Sequence, residues 1–104
     1  MLAAWWLRLH GWRIIARRVR VPGGEIDIVA RRWRTVAFVE VKWRNSTAAR
    51  DFAIDRYRLR RVTNAVAQAA HHYAGPEDTI RIDAILLAPR SLPRHLANVW
   101  QPLN

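Results

Sequence analysis

The chain of 104 residues has no cysteine, which excludes disulfides, thiolate metal sites and cysteine nucleophiles. It has one lysine, Lys42, among 18 basic residues, and only 8 acidic residues, for a net charge of +10. No apolar run approaches the roughly 18 residues needed to span a bilayer, so no membrane partner is expected. The opening "MLAAWWLRLHGW" lacks a basic leader and a small-residue cleavage site, and Arg8 interrupts it, so it does not read as a signal peptide and a cytoplasmic protein is expected. Hydrophobic residues at 51% and charged residues at 25% describe an ordinary globular chain. Its length suits a single domain, residues 1–104, near the lower limit for a self-sufficient core.

The excess of positive charge points to a polyanion. Nucleic acid fits better than a membrane surface, because the arginines are spread through every segment instead of lining one face of a helix. The alternative reading of the excess is an arginine-rich coding habit, but that does not explain the lone lysine at position 42, where a compact ammonium replaces the planar guanidinium used everywhere else.

Hydrophobic spacing predicts the order αβββαββ, an α/β (α+β) sandwich with one long helix on a mixed sheet. Leu2, Trp5, Trp6 and Leu9 have helical spacing, and Gly11 stops that helix. Residues 12–21 read as a strand closed by Pro22-Gly23-Gly24. Residues 25–30 and 35–43 alternate as a hairpin around Arg31 to Arg34, with a four-residue type I loop expected because Arg32-Trp33 lacks the Asn-Gly of a tight primed turn. From Asp51 to Tyr73, Phe52, Leu59, Val62, Val66, Ala69 and Tyr73 line one side of a helix ended by Gly75-Pro76. Residues 79–88 form a further strand and 95–100 a weaker one.

Three of the eight acids, Glu25, Asp27 and Glu40, fall in the hairpin, with Lys42 two residues beyond the last. Side chains two apart in a strand share a face, so Glu25 pairs with Asp27 and Glu40 with Lys42, while Ile26, Ile28, Val39 and Val41 are expected to turn the other way. The two polar faces coincide only if paired positions sum to an odd number, such as 27 opposite 40 or 27 opposite 38. Spacing alone favours an exposed face carrying cross-strand charge pairs. The alternative is a hard cation: Asp27, Glu40 and the Val41 carbonyl would offer Mg²⁺ oxygen ligands, with Lys42 against a phosphate.

"GGEIDIVA…VAFVEVKWR" resembles the YraN-like family of small, mostly uncharacterised bacterial proteins, in the PD-(D/E)xK restriction-endonuclease-like superfamily, and is similar to archaeal Holliday junction resolvases. "RYRLRRVTNAV", "RIDAILL" and "HLANVW" extend the resemblance over nearly the whole chain. It implies a Mg²⁺- or Mn²⁺-dependent endonuclease on DNA, branched or structured DNA included. Asp27 then matches the motif aspartate, Glu40 and Lys42 the ExK pair, and Glu25 lies in the GEID motif. The resemblance also implies a glutamate on the first helix, yet no acid precedes Glu25. Either Met1 is a late start, or Glu25 substitutes, or catalysis is impaired. Arg58 stands where relatives commonly carry lysine.

Phosphate contacts are expected from Arg44, Arg56, Arg58, Arg60 and Arg61. Trp5, Trp6, Trp12 and Trp100 are expected in the core, whereas Trp33 and Trp43 lie where stacking on an unpaired base is an alternative. His71-His72 reads as surface or capping, and Asp83 as the partner of an arginine. A homodimer is expected from the small size, the apolar first helix and the two sites needed to cut both strands. The rival functions are a non-catalytic nucleic-acid-binding module of nuclease fold and a basic accessory subunit that binds an acidic protein.

Overall fold

The structure is a computed structural model and describes residues 2–44 and 56–99. Helix α1 (Leu2–Leu9) is followed by strands β1 (Arg13–Val21), β2 (Gly24–Arg32) and β3 (Thr35–Trp43). Helix α2 (Arg56–Ala69) runs into a 3-10 turn (Ala70–His72), and strands β4 (Thr79–Leu87) and β5 (Arg94–Leu96) complete the order. The five strands form one sheet in the order β1-β2-β3-β4-β5. Only β3 and β4 are parallel, as the crossover through α2 requires.

The sheet is covered on both faces. Against one lie Ala3, Ala4 and Leu7 of α1, packed with Trp12, Ile28, Ala37, Val39 and Ile85. Against the other lie Val62, Ala65, Val66 and Ala69 of α2, packed with Ile26, Val29, Val36, Phe38 and Ile82. The α2 stripe is the one its spacing predicts, with Leu59 and Tyr73 half-buried at its ends. Phe52 and Trp100 lie outside the described residues.

Two details of the hairpin differ from expectation. Pairing of Arg32 with Thr35 leaves a loop of only Trp33 and Arg34, not four residues. Trp33 takes φ 57, the left-handed conformation that a primed turn needs and that costs a non-glycine residue about 1–2 kcal/mol. The turn is braced locally and at long range: Arg31 Nη1 donates to the Trp33 carbonyl two residues on at 3.0 Å, and the Thr79 N–H donates to the Arg34 carbonyl at 2.8 Å. Secondly, Ile26 buries against α2 while Ile28, two residues on, buries against α1. Alternation therefore breaks at Asp27, and β1 is irregular at the same level, with Arg18 at φ 52 between the pairs Arg17↔Ile28 and Val19↔Ile26.

Trp12 is buried, with the Arg32 and Arg81 guanidinium groups over its ring, and Trp6 is half-buried. Trp5 is exposed rather than in the core: it lines the outer side of α1 with Leu2 and Leu9, while small Ala3 and Ala4 make the inward contact.

The paired glycines explain how α2 comes to lie over the hairpin. Gly23 sits at φ 78 in the β1–β2 turn, a conformation glycine adopts without strain. At Gly24, a Cβ would stand 2.4 Å from the Arg61 carbonyl and 2.9 Å from Ala65 Cβ, so the helix backbone rests on the bare α-carbon. Asn64 and Gln68, one helical turn apart, add side-chain hydrogen bonds to the Pro22 carbonyl. Gly24→Ala should push the helix away and lower stability by about 1–3 kcal/mol, read as a shift in urea midpoint; an unchanged midpoint would contradict this packing.

Candidate functional site

The ladder between β2 and β3 runs from Arg32↔Thr35 to Ile28↔Val39 and stops there. The register sums to an odd number throughout, which puts Asp27 level with Glu40. In place of the next ladder bond, the Asp27 carboxylate accepts the Val41 N–H at 2.7 Å. The N–H and C=O of one strand residue point to the same edge, so the Val41 carbonyl also faces the gap between the strands.

Into this gap α2 lowers three side chains. The resulting cleft, about 340 Å³, is lined by Glu25, Asp27, Glu40, Tyr57, Arg58 and Arg61, with Val62 at its base. Glu40 is 5% exposed, with Arg58 Nε and Nη2 each 2.7 Å from its Oε1. Burial, then the neighbouring Asp27 charge and a hydrogen bond between the two acids, push the Glu40 carboxyl up to about 7 against the opposing pull of Arg58. Two carboxylates held together in a half-closed cleft disfavour their own joint ionisation.

Glu25 lines the same cleft but also lies 3.8 Å from Arg20. Lys42 shares the face of Val36, Phe38 and Glu40 by strand alternation and is half-buried. Arg61 lines the cleft and Arg60 is exposed on α2. Arg44 lies just past β3, its N–H bonded to the Leu87 carbonyl at 2.7 Å. The side chain of Arg56 lies outside the described part of the structure. Helix α1 carries no carboxylate and packs on the opposite face.

Tyr57 and the engagement of Arg58 with Glu40 were not anticipated from sequence; the one available signal was that Tyr57, Arg58 and Arg61 fall at i, i+1 and i+4, adjoining positions on the helix. Among the described residues, no group of three or more His, Cys, Asp or Glu side chains is placed to hold a metal ion. Any cation here would draw on two carboxylates, a backbone carbonyl and water.

Asp83 lies apart, on the α1 face, fully buried. It pairs with an arginine as expected, Arg81 at 2.7 Å, and also accepts from the Asn98 N–H at 2.8 Å, with His95 Nε2 at 2.7 Å. Burial pushes this carboxyl up, but the hydrogen bonds from His95, Arg81 and Asn98 outweigh it and hold the group below its ordinary range. Its role is to fasten β5 to β4. His71 and His72 are exposed, as expected.

The fold is similar to that of Hjc from Archaeoglobus fulgidus, a Holliday junction resolvase from an archaeal hyperthermophile, with a TM-score of 0.60 over 91% of this chain and 70% of that one. At 23% identity the likeness shows a shared fold. In sequence, the chain is 67% identical to a UPF0102 protein of Sphingopyxis alaskensis and 60% identical to one of Erythrobacter litoralis, each time covering 96% of this chain and 86% of the relative. No described helix is long and apolar enough to cross a membrane. The model of uncharacterised protein family UPF0102 matches residues 1–87, which include the hairpin, its acidic cleft and α2, and the chain therefore belongs to that family.

Proposed function

We propose that this protein is a divalent-metal-dependent endonuclease acting on DNA, branched or structured DNA included. The observation that carries the reading is the convergence of Asp27 and Glu40 on one cleft, at the cost of lifting Glu40 to about 7. The donor set fits Mg²⁺ or Mn²⁺: hard oxygens from Asp27, Glu40 and the Val41 carbonyl, without sulfur or imidazole among the residues lining the cleft. When bound, such an ion would polarise a phosphodiester and acidify an attacking water.

The chain's own residues do the rest. Asp27 is oriented by the Val41 N–H. Lys42, on the face of Glu40, places an ammonium where charge develops on the phosphate oxygens. Glu25, at the rim, orients water or completes the acidic set. Arg61 in the cleft, Arg60 on α2 and Arg44 just past β3 hold the DNA backbone, and Arg56 is expected from the sequence to join them. The likeness to a Holliday junction resolvase supports DNA as the partner. The exposed Leu2, Trp5 and Leu9 stripe of α1 supports a homodimer, which would supply a second cleft for the second strand.

One observation favours the second reading, a nucleic-acid-binding module without cleavage. Arg58 already supplies Glu40 with a positive partner at 2.7 Å, so the cleft is charge-compensated without a metal. Incubation with four-way junction, duplex and single-stranded DNA in Mg²⁺ and then Mn²⁺ separates the two. Cleavage of at least one substrate is expected, with binding in EDTA that weakens steeply with salt and varies little with sequence. Tight binding with no cleavage of any substrate selects the binding module.

A further inference from the structure

The tip of the β2–β3 hairpin carries a feature that neither the cleft nor the core uses. Trp33 is 89% exposed, the first residue of a two-residue loop, and holds φ 57. Only Trp33 of the two loop residues has a positive φ, so glycine at its position would make such a turn without strain, and the ring gains almost nothing from burial. Packing therefore does not explain tryptophan here.

The tip is built to stay in place. Arg31 bonds the Trp33 carbonyl at 3.0 Å, the Tyr73 carbonyl at 3.3 Å and both Asp78 oxygens, at 3.1 and 2.6 Å. The Gly75 N–H bonds Asp78 in turn at 2.8 Å, and Arg34 is fixed through its carbonyl to Thr79. A strained, exposed aromatic on a braced loop is pre-organised for a partner. Arg32, Arg34 and Thr35 share a shallow concavity with the ring, although the Arg32 guanidinium is held over Trp12 and bonded to the His10 carbonyl at 3.2 Å, and Asp78 is neutralised by its ion pair with Arg31. An exposed indole beside the basic Arg34 matches an unpaired base next to a backbone phosphate.

We propose that Trp33 is a stacking platform for an unpaired base, a second nucleic-acid contact at the opposite end of β3 from the acidic cleft. It rests on nucleic acid being the partner, but not on cleavage. Seven residues separate Trp33 from Glu40, so the two contacts lie about 23 Å apart along the strand, roughly the rise of seven base pairs. One substrate can reach both when a duplex arm runs along the outer side of α2, whose first turns line the cleft and whose 3-10 end meets Arg31 at the tip through the Tyr73 carbonyl, and is interrupted near the tip. The inferred preference is for DNA with unpaired bases beside a duplex.

The test is anisotropy in EDTA with a fully paired duplex and the same duplex carrying a bulge of unpaired bases. Wild type should bind the bulged duplex about tenfold more tightly. Trp33→Asn, which tolerates the left-handed conformation, should lose that preference while keeping its affinity for paired duplex and its thermal midpoint, and Trp33→Phe should keep most of it. A wild type without the preference, or Trp33→Asn retaining it, overturns the proposal and leaves the cleft reading standing if paired duplex still binds. If Trp33→Asn changes only the sedimentation of the protein alone, the ring serves a protein contact and the proposal is equally overturned. Wild type binding neither duplex overturns both readings.

Discussion

Asp27→Asn should reduce DNA cleavage by about 10²–10³-fold or more, because it removes a metal ligand while leaving the fold intact. The amide oxygen can still accept the Val41 N–H that Asp27 holds at 2.7 Å, so the hairpin has no reason to rearrange. Binding measured without metal should hold or rise, since a negative charge facing a polyanion is lost. Lys42→Met should separate from it. Cleavage falls by a similar factor through loss of the ammonium at the phosphate, but affinity falls only modestly, one contact among many arginines. Rates and affinities of both variants on the best wild-type substrate decide the matter. If Asp27→Asn cuts as fast as wild type, the activity lies elsewhere.

Glu40→Gln is expected to stabilise the metal-free protein at pH 8 by on the order of 3 kcal/mol while abolishing cleavage. Folding lifts this carboxyl from 4.5 to about 7, through burial and then the Asp27 charge, so the folded state holds the proton more tightly than the unfolded chain. The stabilising contribution of the protonated group is fully present below about pH 4.5, declines as pH rises towards 7, and is gone above that. Glutamine mimics the protonated form at every pH, so the difference from wild type should be near zero at pH 4 and largest above pH 7. Millimolar Mg²⁺ should raise the melting temperature of wild type and leave Glu40→Gln unmoved. Urea titrations across that pH range check the first part; a variant less stable than wild type at pH 8 would mean that the Arg58 ion pair outweighs the burial of charge.

The element order and the parity of the hairpin were readable in the sequence because each rests on a local period. Leu59, Val62, Val66 and Ala69 mark the buried side of α2 at spacings of three and four. An odd-sum register follows from requiring Asp27 and Glu40 on one face. What escaped is set at long range. The two-residue loop depends on Arg31 reaching Asp78, 47 positions away, to brace Trp33. The switch of Ile26 to the α2 face depends on the irregularity around Arg18 and on α2 resting against Gly24. The Arg58–Glu40 ion pair spans 18 positions, and sequence placed Arg58 against phosphate instead. Trp5 was misplaced because helical spacing shows that α1 has an apolar side, not which side Ala3 and Ala4 let approach the sheet.

The central claim is that Asp27 and Glu40 are metal ligands, and a crystal soaked in millimolar Mn²⁺ tests it most directly. The account predicts an anomalous peak between the two carboxylates, about 2.0–2.2 Å from their oxygens, with the Val41 carbonyl in the coordination shell and Arg58 displaced from Glu40. A cleft without a peak, with Arg58 still bonded to Glu40, or a manganese ion bound only elsewhere, would contradict it.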